Sequence, residues 1–511
     1  MTNTSDGVAR PFNTKAIKNG AAHLHSLRDD RSVYIDGRLV HDVTTDPAFA
    51  NSVHSAAALY DYQANVSNAD VMTFTSPTCA RRVNRAWQLP TNYSELVLRR
   101  QALVQWAETH NGFMGRSPDH VASALAGQYM GMEVFEKYNG GYAGNFRSYF
   151  QYARDNDLFL SYVIINPQGN RAVEPSRQPN DFVLHVVDET AEGIVVSGAK
   201  MLGTSAIMAN ELFVANLQPL RAHEEKYAVS FAIPMATGGL RLLSRKSYEA
   251  SAVSRFDNPI SSRFDENDAL VYFDEVLVPR DRIFVNQSPD MCRAQFHDTP
   301  GHVFQNYQSQ IRLTVKLRFL VGVARRICDT IGTTDLPPVQ ATLGKLASEV
   351  AAVDAFVLAM EVAGEQRGEY FVPNRHLLYA AQVYTQDLYS EFITTIRDLA
   401  GGSLLMLPSS IADLEFPLTR KIVECTQVSE RGTALDRVKF LKLAWDVLGS
   451  EFASRHQQYE MFYAGAKFVT RGHCFRSYDW ERATSMLDAV VAGYSLEASS
   501  GAENQRRGES S

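Results

Sequence analysis

Cysteine is scarce in this sequence and never paired. Its five cysteines, Cys79, Cys292, Cys328, Cys425 and Cys474, include no C-x-x-C. That excludes a disulfide framework and the usual zinc or iron–sulfur knuckles, and leaves reduced, partly buried thiols. Basic runs are missing as well: 50 Lys+Arg stand against 57 Asp+Glu, for a formal charge of -7, so nothing is present to neutralise nucleic-acid phosphates. No apolar run approaches the roughly 18–20 residues of a spanning helix, and the polar start MTNTSDGVARPFNTK lacks a signal-peptide core. Neither nucleic acid nor a membrane is expected as a partner, and a cytoplasmic location is expected. No G-x-G-x-x-G follows a strand pattern, the nearest glycine cluster (Gly140-Gly141-Tyr142-Ala143-Gly144) lying among helices. Walker loops and H-E-x-x-H are also missing, so a Rossmann dinucleotide site, phosphoryl transfer and zinc hydrolysis drop out.

What is there is a chain whose texture changes twice. Residues 1–17 and 491–511 are small and polar and are expected to be disordered. Residues 18–157 read as mainly helical, with a hairpin at VYIDGRLV, a helix over 92–110 started by Thr91, and helices after Ser117 and Asn139. Residues 158–286 hold the short β-branched and aromatic runs LSYVIINP, DFVLHVVDE, GIVVSGAKML, NELFVANL, KYAVSFAIP and ALVYFDEVLVP, which predict a compact β-barrel or sandwich. Residues 287–490 turn helical. One apolar stripe is Leu313, Leu317, Leu320, Val321, Ala324 and Ile327; another is Leu343, Leu346, Val350, Val353, Val357 and Met360 on a helix begun at Pro337-Pro338. With helices near 373–400 and 433–464 they predict an antiparallel four-helix bundle. The expected class is α+β: helical domain, β-barrel, helical bundle.

Four segments carry candidate chemistry. In Met114-Gly115-Arg116-Ser117-Pro118-Asp119-His120, Ser117 suits an N-cap and Pro118 the first helical position, so Arg116 stands beside the positive end of a helix. The segment suits either a helix junction with a surface ion pair or a site for an anion. Ser197-Gly198-Ala199-Lys200 has S-x-x-K spacing but lies in a strand-rich stretch and reads as a β-turn, whereas Gly203-Thr204-Ser205 offers two hydroxyls beside a glycine. The run 444–463 is helical by period yet carries Gly449, Glu451, Arg455, His456 and Glu460, which suits either an internal ion-pair network or a cofactor held against the glycine. In HDTPGH, His297 and His302 have only Asp298 as a nearby third ligand. A metal is therefore not expected, and a histidine acting as proton donor or hydrogen-bonding group is.

The segments GRLVHDVTTDPAFANSV, GFMGRSPDH, INP at 165–167, VSGAKMLGTSA, SSRFDENDALVYFDEVLVP, RLTVKL, LPSS and KLAWDVLGSEFASRHQQYEMFYAG resemble the oxygenase component of 4-hydroxyphenylacetate 3-monooxygenase and the related chlorophenol monooxygenases, over about Lys18 to Gly465. The resemblance implies an acyl-CoA-dehydrogenase-like fold assembled as a homotetramer. It implies reduced FAD supplied by a separate NAD(P)H:flavin reductase, reaction with O2 to a flavin C4a-hydroperoxide, and oxygen transfer to a small phenolic substrate. It places Arg116 against the phenolate, His120, Tyr162 and Ser205 in the substrate pocket, and His120, His297 or His302 as the group that hydrogen-bonds or protonates the peroxide. Flavin contacts fall to Tyr162, Val163 and Ile164, to Gln168, Gly169, Asn170 and Arg171, to Thr204 and Ser205, and to Gly449, Ser450, Glu451 and Phe452, the last four from a neighbouring subunit.

Two positions depart from the 4-hydroxyphenylacetate enzymes, which carry a tyrosine where His120 stands and a histidine where Tyr162 stands. The expected substrate is therefore a 4-hydroxyphenylacetate-like phenol, a halo- or nitrophenol, or a biosynthetic phenol. The alternative is a flavoenzyme of the same fold that does not use O2, like an acyl-CoA dehydrogenase or 4-hydroxybutyryl-CoA dehydratase. The latter holds an iron–sulfur cluster on three cysteines and a histidine, whereas here Val83 stands four residues after Cys79 and no cysteine closely follows His297 or His302.

Overall fold

The structure, a computed structural model, describes residues 17–494. The ends expected to be disordered, 1–17 and 491–511, lie outside the described residues apart from Ile17 and 491–494. Helices lead. Tyr93–Thr109 begins one residue later than expected and is capped by Asn92, whose side chain accepts the Glu95 N–H at 3.0 Å. Thr91 instead donates its N–H and hydroxyl to the Glu95 carboxylate at 2.7 and 3.0 Å. Pro118–Tyr129 starts after Ser117 with proline in its first turn, but the Ser117 hydroxyl does not cap; it donates to Asp119 Oδ1 at 2.5 Å. Gly140–Asp155 is capped by Asn139, which accepts from Gly141 and Tyr142.

Most strands form two large sheets, beside two small two-stranded ones, Thr73–Thr75 with Arg82–Asn84 and Glu365–Arg367 with Tyr370–Val372. In the first the order is Arg38–Val40, Ser32–Ile35, Leu240–Ser244, Ala269–Pro279, Gly193–Lys200, His185–Glu189; in the second, Ile283–Asn286, Val229–Pro234, Glu211–Val214, Leu160–Val163. These pairings do not close a ring, so the middle of the chain is a pair of facing sheets, with Phe231 and Phe273 meeting edge to face at 6.2 Å. The VYIDGRLV hairpin forms through Asp36 (φ 50°) and Gly37 (φ 73°), the left-handed pair that a two-residue turn needs. It joins the first sheet by a parallel pairing with Leu240–Ser244. On Ala269–Pro279 the register shifts between Phe273 and Val276; this bulge puts Val276 and Val278 on the buried side with Val271 and Phe273.

The expected bundle follows, from Gly301–Ile331, Pro337–Val362 and Arg375–Ala400 with Ala434–Leu448 and Glu451–Phe462. The last two were expected as one helix. The chain breaks at Gly449, where a Cβ would lie 2.5 Å from the Trp445 ring, and restarts at Ser450, whose side chain accepts the Ala453 N–H at 3.1 Å. Helices, sheets, then bundle is the order expected from the sequence. Among the described residues no helix is long and apolar enough to cross a membrane.

The first seventeen residues of Gly301–Ile331 are all buried, polar ones included. Gln305, Gln308, Arg312 and Lys316 recur at helical spacing, so one flank of this helix faces a polar interior.

Candidate functional site

Arg116 enters the site from the turn before Pro118–Tyr129, a helix buried over 118–128. It is itself buried, and a buried cation needs partners. Its N–H donates to the Glu266 carboxylate, Nη1 to His120 Nε2, and Nη2 to the Tyr463 carbonyl at 3.4 Å. Its guanidinium carbon lies 5.2 Å from the Tyr162 ring centre and 5.3 Å from that of Tyr459, where ring quadrupoles stabilise a cation. Among the described residues no carboxylate forms an ion pair with the guanidinium. The charge is held by rings and neutral acceptors.

His120 is fixed as an acceptor toward Arg116. Gln305 Nε2 stands 3.2 Å from its Nε2, and Gln308 Oε1 lies 2.9 Å from its Nδ1. Guanidinium and amide nitrogens only donate, so Nε2 carries the lone pair and Nδ1 the proton given to Gln308. Burial, and then the Arg116 charge, push the imidazole well below its ordinary pKa. In this arrangement the neutral ring is engaged on both nitrogens, and its Nε2 fixes the direction of the Arg116 guanidinium. The Tyr162 ring lies 5.5 Å from it, and the Tyr162 hydroxyl accepts from Gln305 Nε2 at 2.8 Å.

Thr204 and Ser205 adjoin this group. Ser161 Oγ donates to the Thr204 carbonyl at 2.8 Å, and Thr204 Oγ1 to Asp268 Oδ1 at 2.6 Å. Ser205 is left-handed, φ 63°, and its N–H donates to the Glu266 carbonyl at 2.7 Å. Its hydroxyl is fully buried with no hydrogen-bond partner among the described residues. A strained turn offering an orphaned hydroxyl fits a polar group of a ligand, so the residues present fit a bound flavin. Arg455 braces the loop: Nε and Nη2 reach Asp268 at 2.9 and 2.7 Å, and Nη1 reaches Glu266 at 2.8 Å. Burial alone would raise the Asp268 carboxyl, but Arg455, Arg245 and Thr204 hold it well below the usual carboxylate range.

The network reading of 444–463 thus holds for Arg455, and for Glu460, which pairs with Arg312 and, at 3.0 Å, with Lys316. His456 Nδ1 stands 3.1 Å from Lys316 Nζ.

The structure therefore gathers Arg116, His120, Tyr162, Thr204 and Ser205, and leaves other expected residues elsewhere. Gln168, Gly169, Asn170 and Arg171 form an exposed loop in which Asn170 exchanges hydrogen bonds with Gln178 at 3.0 and 2.6 Å; Val163 and Ile164 lead to it. Within the chain Glu451 pairs with Lys246 at 2.6 Å, and Phe452 packs on Phe113 at 5.6 Å and on His456 at 4.3 Å. Gly449 and Ser450 make the helix break. His297 and His302 are not with His120: their rings pack with His473, at 4.9 and 5.4 Å. Ser197–Lys200 is not a turn but the end of strand Gly193–Lys200, with Lys200 buried and donating to Asn166 Oδ1 at 2.7 Å; burial lowers its amine to about 7. Gln305, Gln308, Glu266, Asp268 and Tyr459 were missed. The polar spacing along 305–316 was the available signal for the two glutamines.

Known proteins share this architecture. Family models for the 4-hydroxyphenylacetate 3-hydroxylase N terminal and C terminal regions match residues 19–285 and 292–492. A pyoverdin chromophore biosynthetic protein of Pseudomonas aeruginosa is 36% identical over 459 residues, 88% of this chain and 89% of that one. The 4-hydroxyphenylacetate 3-monooxygenase oxygenase component of a Geobacillus strain is 32% identical, over 88% of this chain and 91% of that one. The solved oxygenase component of 4-hydroxyphenylacetate 3-monooxygenase, in complex with FAD and 4-hydroxyphenylacetate, superposes with a TM-score of 0.88 at 31% identity, covering 93% of this chain and 98% of the other. The chain belongs to the 4-hydroxyphenylacetate 3-hydroxylase family, the oxygenase components of flavin-dependent two-component aromatic monooxygenases.

Proposed function

We propose that this chain hydroxylates a phenol with O2 and reduced FAD, the flavin being delivered by a separate NAD(P)H:flavin reductase. The observation that carries the reading is Arg116: a buried guanidinium between two tyrosine rings, with no carboxylate paired to it among the described residues. An anion is what such a cation lacks, and a phenolate supplies a flat one. When bound, reduced FAD with O2 supplies an electrophilic oxygen to a ring carbon. Such a step needs an electron-rich ring, so the protein's task is to favour the phenolate. Arg116 does so by charge in a low-dielectric pocket, and Tyr162 does so with its hydroxyl proton, left free because its oxygen accepts from Gln305. His120 keeps the guanidinium aimed, and the buried walls keep water out.

Ser205 and Thr204, with the strand end Tyr162–Ile164 and the loop Gln168–Arg171, would hold the flavin. Gly449–Phe452 would reach it from another copy of the chain. A homotetramer in the cytoplasm is part of this proposal. The exposed Phe468, Phe475, Trp480 and Val490 offer an apolar face for assembly. Because His120 and Tyr162 stand exchanged relative to the 4-hydroxyphenylacetate enzymes, the substrate is proposed to be another phenol: halogenated, nitro-substituted or biosynthetic.

The test couples the protein to any NADH:flavin reductase and screens phenols by hydroxylated product. Absence of product from every phenol, with NADH consumed, overturns the reading. Arg116→Met is expected to weaken phenol binding and coupling by about 100-fold while flavin affinity stays within about 2-fold; equal loss of both removes Arg116 from its role.

A further inference from the structure

Two histidines that looked short of a ligand in the sequence find one in space. His297 ends the helix Pro289–His297, His302 lies in the first turn of Gly301–Ile331, and His473 comes from Lys467–Ser477. Their ring centres are 4.8, 4.9 and 5.4 Å apart, and one ring nitrogen from each lies within 4.8 Å of the other two. Asp298 is not needed as the third group.

We propose that His297, His302 and His473 bind one divalent transition-metal ion of the zinc type through three imidazole nitrogens, with a fourth position left to water or a small anion. Donors at the 2.0–2.1 Å of a tetrahedral zinc stand roughly 3.4 Å apart, so the longest pair closes by roughly 1.4 Å shared between two rings, a small side-chain rotation. His302 Nδ1 is buried with no hydrogen-bond partner among the described residues, a state that coordination relieves. His297 and His473 are half-buried, which gives an ion a way in. The Tyr379 ring backs the group, 5.1 Å from His473 and 5.6 Å from His302. Burial first, then neighbouring positive charge, keeps the three imidazoles neutral, the form a metal requires.

Arg293, Arg375 and Arg476 face the cluster, and Arg476 Nη2 stands 2.9 Å from His473 Nδ1. They oppose a bare dication and favour hydroxide or chloride in the fourth position. Arg293 and Arg476 are exposed and can swing aside. The ion would pin three helices at one point, one turn before Gln305. It makes no use of the phenol reading above, and either can fail alone.

The full chain, stripped with chelator and dialysed, is titrated with Zn2+ by calorimetry, and the dialysed complex is assayed for metal. One ion per chain with a dissociation constant tighter than about 10 µM is expected, with Tm rising on addition of Zn2+. His473→Gln and His302→Gln are each expected to weaken it at least about 30-fold. His223→Gln, in the separate Glu174–His223–Glu224 group, should leave it unchanged. If His302→Gln does not fold, the partly exposed His473→Gln decides, since its metal-free Tm reports its fold. Binding weaker than about 10 µM, or binding that survives His473→Gln or is lost with His223→Gln, overturns the proposal.

Discussion

Gln305 donates to the Tyr162 hydroxyl at 2.8 Å across 143 positions of sequence. An oxygen that already accepts keeps its proton to give, so this amide sets the direction of the Tyr162 hydrogen bond. Gln305→Leu is expected to lower kcat/KM for the phenol about 10- to 30-fold, about 1.5–2 kcal/mol. Flavin affinity should move by less than about 2-fold. Steady-state rates with a coupled reductase check it, and an unchanged kcat/KM would show that Tyr162 needs no such setting.

The exchange of His120 and Tyr162 is a coupled pair, since their rings are 5.5 Å apart and both face the Gln305 amide. Each single variant, His120→Tyr or Tyr162→His, is expected to lose more activity than the double variant. The double variant should shift preference toward 4-hydroxyphenylacetate by about tenfold or more. Additive losses would separate the two positions.

Acid sensitivity should centre on Glu460. Burial alone would raise its carboxyl, yet Arg312 and Lys316 hold it at about 2, below the roughly 4.3 of an unfolded glutamate. With the folded pKa depressed, its contribution is fully present above about pH 5 and is lost as pH falls toward 2. Glu460→Gln is expected to flatten denaturant midpoints between about pH 5 and 3. At neutral pH it should cost about 3–5 kcal/mol, because Arg312 and Lys316 are left buried without their anion. An unaltered slope would place the acid sensitivity elsewhere.

Gly115 is pressed against Tyr459: an added Cβ would lie 2.5 Å from its hydroxyl and 2.6 Å from the attached ring carbon. Gly115→Ala must displace one of the two rings that hold Arg116. Phenol Kd is expected to rise about tenfold with a stability loss of about 1–3 kcal/mol. Fluorescence titration and thermal melts read the two separately.

Much of this was legible in the sequence. The order of helices, strands and bundle follows from periodicity, because the apolar stripes of 313–327 and 343–360 and the six strand runs of 160–279 are long or repeated. The strands Leu240–Ser244 and Ile283–Asn286 are placed by their pairing with Ala269–Pro279 and Val229–Pro234 and not by a sequence run of their own. Arg116, His120 and Tyr162 were found through local motifs and family resemblance, but not the neutral, acceptor state of His120, which is created by Gln305 and Gln308 on a distant helix. The periodicity of that helix reports only its apolar positions. His473, alone on its own segment, carried no signal at all.

Glu266 takes the Arg116 N–H on its carboxylate and the Ser205 N–H on its carbonyl. The arm proposed to grip the phenol and the turn proposed to touch the flavin therefore hang from one residue. Their separation is set by the length of a single glutamate, so the spacing of the two reactants behaves as a built-in dimension of the chain. A shortened Glu266→Asp would change that gauge without altering the chemical identity of any group that touches either reactant.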